Sequence, residues 1–297
     1  GVWIAEIPIV LPPSDIKIVD IPSPTSSTIG CDGNIIPEIQ VKNNGLSAIS
    51  NVAVSYSINT TNYTYNWTGN INAGETTLIM LPQAFLPKGS YTLNVTSTIV
   101  DDAYADNNSA SKIFYVNEPG TVNTTNTFEN ASDELLEYNE GSATGLWTRG
   151  IRSGTIISSG TNNVYATTLT GNYPDKTKSF LVSKCYNLTQ LANPDISFKM
   201  EFDLEINWDV VYVQYSTNFG QSWEVLGTQG PNWYNSDRTP LTTGADCFNC
   251  PGAQWTGTDG ILKTYNYSLN SIGSETNVIF RIVFESDDAE VAQGVII

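Results

Sequence analysis

The sequence predicts an all-β protein built from two sandwich domains in tandem. Three observations carry that prediction. The 297 residues include 23 glycines and 14 prolines, and only 14% are charged, which suits strands joined by turns. Short segments with apolar residues at every second position recur along the chain. No long window shows apolar residues at helical spacing; the best helical candidate, "SDELLEY" at 132–138, is short. The length allows two domains with cores of their own.

In the first domain, residues 14–117, "DIKIVDI" opens with Ile16, Ile18 and Asp20 expected on one face. "NIIPEIQVKNNG" is a strand closed by an Asn-Asn-Gly turn. "SNVAVSYSINTT" places Val52, Val54, Tyr56 and Ile58 together, and "NYTYNWTGNI" returns after a tight reversal. "TTLIML", "GSYTLNVTSTIV" and "SKIFYVN" complete the set. Short strands with turn signals between them predict an immunoglobulin-like sandwich, although the Cys…Trp…Cys core of antibody domains is absent. Residues 1–13 have no obvious place in it. Residues 118–127, polar and turn-prone, read as a linker.

The second domain, residues 128–297, offers "NNVYATTLT", "KSFLVSK", "DISFKMEFDLE", "DVVYVQYSTN", "SWEVLGT", "LKTYNYSL", "NVIFRIVFES" and "GVII". Ile196, Phe198, Met200 and Phe202 are expected inward. Val278, Phe280, Ile282 and Phe284 share one face of their strand, and Ile279, Arg281 and Val283 the other. Long strands with both faces partly apolar suit a double-sheet jelly roll. Asn218-Phe219-Gly220 is the hairpin loop, with Trp223 packing the returning strand.

The phrases "IQVKNNG", "YNWTGNINAGETTLIMLP", "GSYTLNVT" and "DDAYADNNSA" resemble the CARDB-type adhesion module of bacterial surface proteins. "FEN", "SFKMEFDLEINWDVVYVQYSTNFGQSWEVLG", "WTG" and "VIFRIVFESDDAEVAQGVII" resemble the MAM-like jelly roll attached to secreted proteases of the immune inhibitor A type. The wording is similar to that of secreted Bacteroidetes proteins. The resemblance implies export, by the type IX route, and a role in adhesion or gliding. In the MAM-like family the last strand continues further, so "AQGVII" reads as a strand cut partway. Gly1–Ile4, "GVWI", matches the slot of "GVII", which suggests one period of a tandem array or filament.

The net charge of −17 argues against nucleic acid as a partner, since an acidic surface repels phosphate. It attracts cations, although solubility alone would explain it equally. No apolar run reaches the length of a membrane span, so no membrane insertion is expected. The opening residues lack a basic secretory leader, and the chain reads as a piece of a secreted, cell-surface protein. Absence of histidine removes Ser-His-Asp and Cys-His catalysis and His-ligated zinc from this chain. No nucleophile or phosphate-loop motif replaces them, so the expected role is non-enzymatic.

Cys247 and Cys250, in "CFNCPG", form a C-x-x-C pair. With no second pair and no following helix, a local disulfide is preferred over zinc or redox roles. Cys31 and Cys185 read as small buried apolar residues.

The jelly-roll resemblance implies a calcium ion near the sheet ends, and Glu129, Glu205, Asp209 and Asp287 are the expected oxygen donors. Glu205 and Asp209 flank a turn, and Asp287 precedes the final strand. The competing reading is ordinary loop acids. Among the aromatics, Trp147, Trp208 and Trp255 read as core plugs. Trp233 and Tyr234, in the polar stretch "GPNWYNSDR", are candidate ligand-binding residues that would stack on a sugar.

The sequence therefore points to a structural or adhesive segment of a large exported surface protein. Its expected partners are other domains or copies of that protein, and glycans. The alternative is a carbohydrate-binding accessory region of a secreted hydrolase or protease.

Overall fold

A computed structural model describes residues 11–142, 145–241, 247 and 249–297. The described chain is all-β, as the sequence predicts. In order, the first half contains β1 (Ile16–Ser23), β2 (Ile29–Gly30), β3 (Asn34–Ile35), β4 (Glu38–Asn43), β5 (Ile49–Ile58), β6 (Thr61–Ile71), β7 (Thr76–Met80), β8 (Ala84–Phe85), β9 (Gly89–Thr98) and β10 (Ser109–Val116). The second contains β11 (Leu136–Asn139), β12 (Thr148–Gly150), β13 (Val164–Ala166), β14 (Lys178–Tyr186), β15 (Asp195–Asp203), β16 (Val210–Ser216), β17 (Glu224–Val225), β18 (Lys263–Ser268), β19 (Val278–Glu285) and β20 (Gly294–Ile296). None of the described helices is long and apolar enough to cross a membrane.

The chain divides into two compact units. The first holds 34–86, 91–114 and the described part of 1–26. Its sheets are β1-β4-β7 and β10-β9-β5-β6, with a short β3-β8 pair. Val52, Val54, Tyr56 and Ile58 of β5 are all buried, as their alternation predicts. In β1 the alternation breaks. The pairing with β4 shifts register between Ile18 and Asp20. That bulge carries Ile21 into the core and turns Asp20 outward, where it pairs with Lys112 at 3.1 Å. The expected Asn-Asn-Gly turn is held by the buried Asn43, whose Nδ2 donates to the carbonyls of Ser47 and Ile71.

The second unit comprises 27–33, 87–90 and 115–297. The chain thus contributes to it twice before residue 115. Ile29 and Gly30 of β2 pair in parallel with Tyr115 and Val116 at the end of β10. Residues 118–120, expected to be linker, instead pair with β14: Cys185 N donates to Glu118 O at 3.0 Å, and Gly120 N to Cys185 O at 2.7 Å. The helical candidate 132–138 becomes a single 3-10 turn, Ala131–Asp133, followed by β11. Leu136 and Tyr138 are buried two residues apart, a strand period.

Two five-stranded sheets build this unit, β11-β14-β19-β16-β17 and β12-β13-β20-β15-β18. Residues 294–296 form β20 between β13 and β15, and all three are buried. Arg281, on β19, lies between two rings, 4.2 Å from the Phe180 centroid and 4.0 Å from that of Trp223. Such stacking stabilises by about 0.5–2 kcal/mol. The proposed equivalence of Gly1–Ile4 with 294–297 falls outside the described residues.

Candidate metal centre

The centre sits in the second unit, where three strand ends meet. Glu205 follows β15, Asp209 immediately precedes β16, and Asp287 follows β19. Antiparallel pairing of β16 with β19 sets Val210 opposite Glu285, so the residues just outside that pair become neighbours. Each of the three carboxylates offers an oxygen, and these oxygens lie within 4.8 Å of one another.

Asp209 is wholly buried. Its Oδ1 accepts the Asp287 N–H at 2.9 Å, and its Oδ2 accepts the Tyr173 hydroxyl. The Tyr173 oxygen in turn accepts the Glu205 N–H at 3.2 Å. Asp209 N donates to the Glu205 carbonyl at 3.2 Å, closing the turn between the two acids. Asn207 takes a positive φ of 68° within that turn, a conformation asparagine tolerates, and its N–H reaches Thr256 Oγ1 at 2.7 Å. Thr256 Oγ1 donates to the Asp209 carbonyl at 2.9 Å. The turn is thus tied down on both sides.

The electrostatics are unbalanced. Burial pushes the Glu205 carboxyl up, and the negative Asp287, Asp209 and Glu290 push it further, against a hydrogen bond from the Glu290 backbone. Burial also raises Asp209, against the hydrogen bonds from Tyr173 and Asp287. Tyr173 is pushed far up by burial, then by its bond to Asp209 and that residue's charge. Among the described residues, no lysine or arginine pairs with Glu205, Asp209 or Asp287; Lys176 pairs with Asp288 at 3.6 Å. Glu205 Oε2 is buried and has no hydrogen-bond partner. A buried carboxylate oxygen without a donor is costly unless something positive meets it. The donor set is entirely oxygen, which fits a hard divalent cation and not a thiophilic metal. The cluster is able to hold a metal ion.

Glu129, the fourth expected ligand, is not in this cluster. Phe128 adopts a positive φ of 61°, and the exposed Glu129 carboxylate accepts Asn163 N at 3.0 Å and Asn163 Nδ2 at 2.7 Å. The two-pronged bond to Asn163 holds it at the start of β13 instead.

Trp233 and Tyr234 are not surface ligands. They are 5% and 0% exposed and lie in an aromatic cluster with Phe198, Trp255, Tyr265 and Tyr267. Trp233 Nε1 donates to Leu226 O at 2.9 Å, and Tyr234 Oη to Val213 O at 3.1 Å. Each polar tip therefore has a partner inside the core, which lets the rings bury despite their polar surroundings in sequence. Trp147 and Trp255 are buried as plugs, but Trp208 is only partly buried. It lines an open cleft of about 520 Å³ together with Asn249, Lys176, Lys178, Glu285 and Asp287.

Cys247 and Cys250 are joined in a disulfide, with Cα atoms 5.7 Å apart. Cys31 and Cys185 are joined as well, across 154 residues of sequence. They are not the free apolar thiols expected, because the 27–33 excursion reaches β14. Sequence reasoning missed Tyr173; nothing in "GNYPDK" marks it, since its role depends on a partner 36 residues away.

No family model matches the chain, and no curated protein matches it. Among solved structures, the crystal structure of the CARDB domain of the PF1109 protein from Pyrococcus furiosus, in complex with di-metal ions, is 24% identical with a TM-score of 0.31. That match covers 36% of this chain and 96% of the other. The solution structure of the same domain is 24% identical with a TM-score of 0.28, covering 36% and 95%. The secreted serine protease VesC from Vibrio cholerae is 10% identical with a TM-score of 0.32, covering 93% of this chain and 48% of that one. Likenesses this distant carry no inference about what this chain does.

Proposed function

We propose that the chain is a non-enzymatic structural or adhesive segment of a large exported surface protein, braced by a calcium ion. The observation that carries the reading is the buried Glu205 Oε2, without a hydrogen-bond partner, beside Asp209 and Asp287, with no basic side chain among the described residues paired to any of the three. A calcium ion there supplies positive charge and nothing more; the protein's part is to hold three strand ends around it. Calcium suits the set better than magnesium because it accepts irregular oxygen shells of six to eight ligands.

Two further features support the exported, structural part. All four cysteines are paired, a state that persists in oxidising compartments. The absence of histidine leaves no ordinary general base near neutral pH. Neighbouring domains or copies of the same surface protein are the partners this reading names. The test is calorimetric titration of calcium into chelator-stripped protein. One site is expected, lost in Asp209→Asn. Absence of binding in the wild-type chain overturns the calcium reading.

A further inference from the structure

The cleft beside the metal centre has a composition that selects its ligand. Its wall carries four carboxylates, Glu140, Glu285, Asp287 and Asp288, and two lysines, Lys176 and Lys178. The charges alternate in space. Lys176 Nζ lies 3.6 Å from Asp288, and Lys178 Nζ lies 3.4 Å from Glu285 and 3.8 Å from Glu140. Tyr212 Oη donates to Glu285 at 3.3 Å, fixing that carboxylate. With four carboxylates against two lysines, each lysine already ion-paired, the wall is net negative and repels an anionic ligand. A neutral ligand with closely spaced hydroxyls avoids that repulsion and can use the paired donors and acceptors of the wall. Each hydroxyl donates to a carboxylate and accepts from the lysine beside it.

Trp208 supplies the other half of the site. It is only partly buried and lines the cleft, while the adjacent Asp209 is 0% exposed. The braced turn of Glu205–Asp209 therefore places the Trp208 side chain along the cleft. Aromatic faces take the C–H face of a pyranose ring, with the ring hydroxyls left free for the polar wall. The volume, about 520 Å³, is in the range of small-ligand sites.

We propose that this cleft binds a neutral saccharide, with Trp208 as the stacking platform and the Lys176–Asp288 and Lys178–Glu285 pairs as the hydroxyl-binding wall. It keeps the non-enzymatic reading above and names what that surface would hold. The ligand class follows from the wall's mixed charge together with its aromatic face, and the cleft does not depend on Trp233 or Tyr234.

The experiment uses the full chain labelled with ¹⁵N, following the tryptophan indole N–H signals by NMR. Probes are cellobiose, lactose, mannobiose and diacetylchitobiose, with a glucuronate oligosaccharide and tetralysine as charged controls. A neutral probe is expected to shift Trp208 and leave Trp147 unmoved. Trp208→Ala is expected to weaken binding at least tenfold with the melting temperature unchanged. If that variant misfolds, Glu140→Gln, at an exposed wall position, replaces it and is expected to weaken binding several-fold. The proposal fails if no neutral probe shifts Trp208, if a charged control binds more tightly, or if the folded variants bind as the wild type does. Calcium uptake is followed separately. Wild-type protein that binds saccharide without taking up calcium sinks the cation reading and keeps this one. Protein that binds calcium and ignores every neutral probe does the reverse.

Discussion

The Tyr173 hydroxyl donates to Oδ2 of Asp209, and this single bond ties the loop before β14 to the turn before β16. Both groups are buried, so removing the donor leaves a carboxylate oxygen short of a partner. Tyr173→Phe is therefore expected to lower stability by about 1–3 kcal/mol, read as a shift in urea midpoint at unchanged slope. An unchanged midpoint would mean that the bond contributes nothing to the fold.

Arg152 is the second buried polar group that the fold relies on, 1% exposed. Its guanidinium donates to the carbonyls of Ser153, Leu169, Gly171 and Gln293. Three separated segments converge on one side chain. Arg152→Met removes the donors from those part-buried carbonyls, with an expected cost of about 1–3 kcal/mol in chemical denaturation. A loss below 1 kcal/mol would show that water replaces the guanidinium.

The Cys31–Cys185 disulfide closes a sequence separation of 154 residues. Loop-closure entropy for so long a span is large, and the Cys31→Ser/Cys185→Ser pair is expected to cost about 2–5 kcal/mol. Cys247→Ser/Cys250→Ser closes a separation of only 3 and is expected to cost much less. Equal melting shifts for the two pairs would contradict the ranking.

Trp233→Ala tests the reassignment of that residue from surface to core. Its ring packs against Phe198, Trp255 and Tyr267. The expected result is a loss of about 3–5 kcal/mol, as for other buried aromatic truncations. A fully stable Trp233→Ala protein would restore the exposed reading.

Glu201 gives a pH signature. It is 7% exposed on β15, and burial raises its carboxyl, helped by the nearby negative Asp259. A raised folded value means that the folded state holds the proton more tightly than the unfolded one. The resulting stability is full below the ordinary glutamate range and is lost as pH rises through the folded value. Glu201→Gln removes that loss. The variant is expected to be more stable than wild type at neutral pH, with the difference closing on acidification. A difference independent of pH would assign the effect to packing.

Much of this architecture was legible because strand alternation is local. Val52 to Ile58 needed no partner to be read, whereas the acids at 205, 209 and 287 were reached through the jelly-roll resemblance, which implies a cation near the sheet ends. What was misread depended on distant pairing. Asp20 was drawn inward because a bulge leaves no trace in the alternation. Glu129 was drawn into the cluster because Asn163, which holds it, lies 34 residues on. The expected exposures of Trp233 and Trp208 are reversed for a similar reason. Polar neighbours made 233 look exposed, but Leu226 O satisfies its N–H in the core. Trp208 lines a cleft with residues 140, 176–178 and 285–288, which no local pattern assembles.

Calcium-dependent melting decides whether the three carboxylates at 205, 209 and 287 are a brace or only crowded acids. Thermal unfolding of the intact chain is compared in chelator and in calcium at about 100 times its Kd. At that excess a single folded-state site adds about 2.7 kcal/mol. The predicted result is a clear rise in melting temperature with calcium, abolished in Asp209→Asn and reduced in Glu205→Gln. Identical melting of the wild-type chain in chelator and in saturating calcium would contradict it.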